Sequence, residues 1–229
     1  MKSIEKARSI SIWIFIVPFV AVNTCLIMVT QFHGLFENQA DKLFNTIPYI
    51  DGGASISRTA RPYPSWLVFK PAMFLTSFLL IKYWLFNRDI IQYFEKSHKN
   101  TKKILFFGIA SAIALTIHSI FLGIKFDIQL YKLFRRVILL LFIIFEIVAQ
   151  GILVYHLIKL KSQLLNLINN KILILKIILV TILATVAILS LPLLVSKGNT
   201  HFKHALEWNY FVGVILFYLF SRFFWKRTT

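Results

Sequence analysis

Six stretches of about twenty mostly apolar residues, bounded by lysine and arginine, constrain this chain more than any other feature. A bilayer core is about 30 Å thick, and a helix rising 1.5 Å per residue needs about 20 apolar residues to cross it. Such runs fall at roughly 10–31, 65–86, 104–124, 137–158, 172–195 and 205–225. They are apolar on every side, whereas a surface helix of a soluble protein keeps a polar face. The sequence therefore predicts an all-α, polytopic membrane protein: one domain over 1–229, six transmembrane helices in a bundle. Composition agrees, because 58% of the 229 residues are hydrophobic and 15% are charged, against about 25% charged in a soluble domain. Soluble enzyme folds are excluded.

The formal net charge is +17. No basic stripe runs over a soluble module, so nucleic acid is not an expected partner. The basic residues gather between apolar runs, where they bind anionic headgroups and hold cytoplasmic segments in place. More of them fall on one side: Lys2, Lys6 and Arg8; Arg88, Lys96, Lys99, Lys102 and Lys103; Lys159, Lys161, Lys171 and Lys176; Arg222, Lys226 and Arg227. That bias places both termini in the cytoplasm. The segment with Lys125, Lys132, Arg135 and Arg136 dissents, as an outer loop rich in positive charge. The first run is too long for a signal-peptide core and lacks a small-residue cleavage site, so it is read as a retained helix. Cys25 is the sole cysteine and is read as packing. No cofactor or metal is expected. Trp13, Trp66, Trp84, Trp208 and Trp225 lie near predicted span ends, as an aromatic belt requires.

Residues that lipid would not select carry the functional reading. Glu146 lies near the middle of the fourth span, where an ionised carboxylate costs on the order of 3 kcal/mol. Gln150 and Arg135 fall on its helical face. His118 sits in the outer part of the third span, about 9 Å from its end at six residues of rise. A His118–Glu146 approach is plausible for adjacent antiparallel helices. Glu207 and Asn209 open the sixth span beside Trp208, His201 and His204. Together these predict a polar cavity reached from the outer side. Each also has a plainer reading: His118 as an interhelical hydrogen bond, Glu146 as a helix-pairing acid, Glu207 as a cap of the sixth helix.

The long outer loop, 32–64, ends in Pro48-Tyr49-Ile50-Asp51-Gly52-Gly53 and a serine- and arginine-bearing segment with Arg58 and Arg61. Its turn would free backbone N–H groups, and with the two arginines it would suit a phosphate. An ordered cap is the alternative.

Pro48-Tyr49-Ile50-Asp51-Gly52, with Ser55-Ile56-Ser57 before the second span, resembles the Frag/DRAM/Sfk superfamily of six-span proteins. Ala205-Leu206-Glu207-Trp208 is similar to that family's small-residue–Glu–Trp signature, and His118 more loosely to its polar third helix. The resemblance implies a lipid-linked role, in lipid homeostasis or in remodelling of lipid anchors, but no fixed chemistry.

Three functions stay open at this stage, beside a purely structural or scaffold role. One is binding or handling of a lipid headgroup, anionic or glycosylated, with Arg58, Arg61, Arg135 and Arg136 on phosphate and Asp51, Gln150, Glu207 and Asn209 lining the site. A second is lipid acyl transfer with His118 as general base and Glu146 orienting it. The third is proton-coupled transport through Glu146. Heavy use of Ile, Lys and Asn points to a bacterial inner membrane, with a eukaryotic endomembrane as the alternative.

Overall fold

An apolar helix in hydrocarbon satisfies its own backbone, which is why every predicted run forms one. The computed structural model describes residues 2–95, 98–124, 129–195 and 198–226. Its long helices are α1 (Lys2–Gln31), α3 (Ser65–Phe94), α4 (His98–Phe121), α5 (Gln129–Lys159), α7 (Asn170–Val195) and α8 (Thr200–Phe224), with short helices α2 (Ile56–Ala60) and α6 (Lys161–Leu164) between them. Among the described residues there is no strand, only one isolated antiparallel bridge, between Ile168 and Trp225. Five helices, α1, α3, α4, α5 and α7, contain stretches long and apolar enough to cross a membrane. α8 is as long but is interrupted by Lys203, Glu207 and Arg222.

The long helices form a ring in chain order. α1 packs on α3, α3 on α4, α4 on α5, α5 on α7, α7 on α8, and α8 closes onto α1. Arg8 Nε donates to the Arg222 carbonyl at 3.3 Å, so the start of α1 and the end of α8 share one end of the bundle, the terminal face. The loop 32–64 lies at the other end, the loop face. Buried residues of α1 recur every three or four positions, at Ile4, Ala7, Ser11, Ile14, Pro18, Ala21, Cys25 and Val29, the spacing of a seam between nearly parallel helices. The small ones among them allow close approach, which is what drives helix pairing where lipid and side chain are equally apolar. Opposite the seams, Phe78, Phe106, Ile178, Ile182 and Leu189 are exposed, as acyl-chain contact requires.

Polar side chains within the helices are mostly satisfied by their own backbone. Thr76, Ser77, Thr116, Ser119 and Asn87 each donate to the carbonyl four residues earlier. Trp84, Trp208 and Trp225 are buried, which corrects the belt expectation, while Trp13 is exposed and Trp66 half-buried. Trp84 is accommodated by Gly108, where any Cβ would overlap the indole.

α5 begins at Gln129, so Lys132, Arg135 and Arg136 belong to its first turns rather than to a loop. Lys125 lies outside the described residues. At the terminal face, Glu95 joins α3 to α5 by accepting from His156 Nδ1 at 2.8 Å and from Lys159 Nζ. The Lys159 ammonium, with the bond from His156, holds this carboxyl below its usual value of 4.5. A depressed carboxyl contributes stability that is complete above the unfolded value and lost as pH falls through the folded one. We therefore expect Glu95→Gln to lower the melting temperature in detergent at pH 7, with the gap from wild type closing as pH drops below about 4.5.

Candidate functional site

The outer loop is fixed by its own turn and by one face of α8. Asp51 accepts from Thr46 Oγ1 at 2.8 Å, from Ile47 N–H at 2.7 Å and from Gly53 N–H at 2.7 Å. These bonds hold its carboxyl below the usual 3.8, the Gly53 amide contributing most. From α8, His204 Nδ1 meets the Gly52 carbonyl at 3.0 Å and His201 Nδ1 the Asp51 carbonyl at 3.1 Å. Trp208 Nε1 donates to the Ala54 carbonyl and Asn209 Nδ2 to that of Tyr49, both at 2.8 Å. The Tyr49 ring meets Trp208 edge-on at 4.8 Å, and its hydroxyl donates to Asn23 of α1 at 3.0 Å.

Glu207 completes the latch. Its carboxylate accepts from the backbone N–H groups of Ile56 and Ser57, while Ser55 Oγ accepts from that of Arg58 at 3.2 Å. The open amides at the start of α2 are thereby satisfied, as a helix N-terminus requires. Glu207 thus caps α2 and not α8. The loop amides expected to be free for a phosphate are likewise engaged, since Gly52 N–H reaches the Pro48 carbonyl and Gly53 N–H the Asp51 carboxylate. A cleft of about 560 Å³ on the loop is lined by Thr30, His33, Phe44, Thr46 and Asp51 among others. Of the residues expected to form a site, Asp51 alone borders it.

A second group gathers where α4 ends and α5 begins. His118 is 7% exposed, and its Nδ1 is buried without a hydrogen-bond partner among the described residues. Arg135 Nε is buried and unpartnered in the same sense. Arg135 lies within electrostatic reach of both His118 and Arg61, and the backbone of Arg61 rests against Gly123 at the end of α4. Tyr131 ties these elements together, donating to the Phe121 carbonyl at 2.8 Å, with the Arg135 guanidinium 6.0 Å from its ring centroid. Lys70 adds a further cation, bonded to the Ile120 carbonyl at 3.3 Å. The partial negative charge at the α4 C-terminus attracts these cations but does not neutralise them. Among the described residues none of Arg58, Arg61, Arg135 and Arg136 forms an ion pair. Arg58, Arg61 and Arg136 are exposed and Arg135 is half-buried.

Glu146 lies elsewhere. It is 1% exposed and accepts from Ser111 Oγ at 2.6 Å, from Gln150 Nε2 at 3.1 Å and from the Tyr218 hydroxyl. Gln150 also reaches the Val214 carbonyl at 3.2 Å. Ser111 and His118 are seven residues apart on α4, about 10 Å of rise, so the structure does not bring His118 and Glu146 together. Nor does it bring Gln150 to the loop face. Lys176 escaped the sequence reading, which counts it among cytoplasmic charges. It is 1% exposed within α7 and bonds Ser221 Oγ at 2.8 Å. A lysine flanked by apolar residues on both sides, after Ile172-Leu173-Ile174-Leu175, is the signal that marked it.

Comparison with known protein families, with characterised proteins and with solved structures finds no match to this chain. The site is therefore judged on its own geometry.

Gly52 is where the latch is most exposed to test. Its φ is +62°, and a Cβ there would run into the His201 carbonyl. An L-residue in that conformation costs roughly 1–2 kcal/mol before any collision. Gly52→Ala should raise hydrogen exchange across residues 49–57 about tenfold or more while leaving the α4 and α5 amides unchanged.

Proposed function

We propose that this is an integral membrane protein that binds the phosphate of a lipid headgroup at its loop face, between Arg61, Arg135 and His118. One observation carries the reading: a buried ring nitrogen of His118 and the buried Nε of half-buried Arg135 are each unsatisfied among the described residues, at the same end of the bundle. Buried polar groups are nearly always bonded, and an unfilled one costs about 1–3 kcal/mol. A guanidinium with no carboxylate partner among the described residues is suited to phosphate, which it meets with two parallel N–H bonds. His118 offers a hydrogen bond from the adjoining helix, and exposed Arg58 and Arg136 extend the positive field that draws an anionic headgroup inward.

In this reading α8 is the sixth span, its polar first turns held under the loop, and both termini face the cytoplasm, as the distribution of Lys and Arg supports. A bacterial inner membrane fits the composition. The segments that resemble the Frag/DRAM/Sfk superfamily lie against each other through Trp208–Ala54 and Glu207–Ile56, which supports a lipid-linked role of that kind. The partners of Glu146 favour binding over acyl transfer by a His–Glu pair, since the carboxylate that would orient His118 is held two helical turns away.

Purified wild type should carry anionic phospholipid that resists detergent washing. The Arg61→Gln/Arg135→Gln double variant should lose most of it, by mass spectrometry of the extracted lipid, with an unchanged helical spectrum. Equal lipid content in the two proteins would defeat the proposal.

A further inference from the structure

Separate from the loop face, the axis of the bundle holds an acid and a base joined by hydroxyl groups. Lys176 Nζ bonds Ser221 Oγ at 2.8 Å, and Tyr83 Oη bonds the same oxygen at 2.8 Å. The Tyr83 ring meets that of Tyr218 edge-on at 4.9 Å, and the Tyr218 hydroxyl reaches Glu146. All five side chains are at most 1% exposed. They come from α3, α5, α7 and α8, with Ser111 of α4 on the far side of Glu146.

Neither charge has a conventional partner. Among the described residues Lys176 has no carboxylate, only Ser221 and the faces of Phe217 and Phe224, with centroids at 4.0 and 5.0 Å. Among the same residues Glu146 has no cation, only Ser111, Gln150 and Tyr218. Two isolated ions in an apolar core are each costly, and moving one proton from ammonium to carboxylate removes both charges at once. The surroundings accept either state. Three donors on Glu146 suit a carboxylate. Ser111 Oγ also lies 2.9 Å from the Gly108 carbonyl, so it can give its proton there and accept one from a protonated Glu146. At the other end, Ser221 Oγ lies 2.9 Å from the Phe217 carbonyl, leaving its lone pairs to Lys176 and Tyr83.

We propose that the bundle core transfers a proton between Lys176 and Glu146 through Ser221, Tyr83 and Tyr218. An N–H bond of the Lys176 ammonium breaks as Ser221 takes its proton. Ser221 turns from the Phe217 carbonyl and passes its own proton to Tyr83 Oη. Tyr83 turns to Tyr218 and does the same. Tyr218 delivers its proton to Glu146, forming a carboxylic acid and leaving a neutral amine. Each hydroxyl gains one proton and loses one, so nothing else is consumed. This step crosses the one gap in the chain: the two phenol hydroxyls share no hydrogen bond, so one of the edge-on rings must shift toward the other for the proton to pass. Besides these groups, no titratable side chain is bonded to Glu146 or Lys176 among the described residues.

The test is infrared spectroscopy of the protein in lipid vesicles, following the carbonyl stretch of a protonated carboxylic acid that Glu146→Gln removes. On transfer to deuterated buffer, deuterium that enters at Lys176, six residues from the terminal-face end of α7, reaches that group along the route, so it should exchange in wild type and at least tenfold more slowly in Tyr83→Phe. Tyr210→Phe, off the route and bonded to the Leu183 carbonyl, should exchange at the wild-type rate. A purely structural role would give the opposite sign, because loosened packing speeds exchange. If Tyr83→Phe does not fold, Ser221→Ala interrupts the same route and should slow exchange likewise. Absence of a Glu146 acid band at any pH where the protein is folded would overturn the proposal, as would exchange in the interrupted variant at or above the wild-type rate.

Discussion

Hydrocarbon offers no hydrogen-bond partner, and the binding of Glu146 inside the bundle is where that constraint is felt most. Its carboxyl is reached by Ser111 from α4, Gln150 from α5 and Tyr218 from α8, so one side chain ties three helices at a depth where water cannot assist. Gln150 extends the tie to the α8 backbone. Helices that slide or rotate past one another would leave a buried acceptor unfilled, which gives the packing a directional element that apolar contacts lack. The same demand explains why hydroxyl and amide side chains elsewhere in the helices turn back on their own carbonyls.

At the loop face the constraint takes another form. The segment around Tyr49–Ser57 has little regular structure, so its carbonyls and amides need partners from outside it. α8 provides them from one face, through His201, His204, Glu207, Trp208 and Asn209. The polar first turns of α8, which stands apart from the five helices apolar enough to cross a membrane, are thus the turns that hold the loop. Where α4 meets α5, by contrast, positive groups converge with no such partner among the described residues, so two neighbouring parts of the loop face differ in kind: satisfied at the latch, unsatisfied beside it.

The helices were legible in the sequence because span length depends only on apolar run length and bilayer thickness. Their ends were less so. α1 starts at Lys2 and α5 at Gln129, since charged residues continue a helix once it leaves hydrocarbon. Glu146 and Gln150 were legible as residues that must be enclosed, yet the enclosing partners, Ser111 and Tyr218, are ordinary in composition and carry no spacing signal. The importance of Asp51, Glu207 and Asn209 was readable, but not their use: all three fasten backbone to backbone. His118 and Arg135 stood out for lying where lipid is poor company, and their convergence with Arg61 depends on where α2 is pinned, which a sequence pattern does not express. Lys176 was misjudged because a cation near a span end ordinarily reaches for the headgroups, whereas this one points inward to Ser221.

A ring of helices closed in chain order has no privileged seam. α1 and α8 touch like any other consecutive pair, and the strand-like pairing of Ile168 with Trp225 fastens the last residues of α8 to the α6–α7 connection rather than leaving them as a trailing end. Insertion into the bilayer can therefore proceed hairpin by hairpin from α1 to α7, but the barrel-like closure waits for α8. α8 delivers in one step the lid over the loop, the phenol for the central acid and the hydroxyl for the hidden amine, so the interior is complete only once α8 is in place.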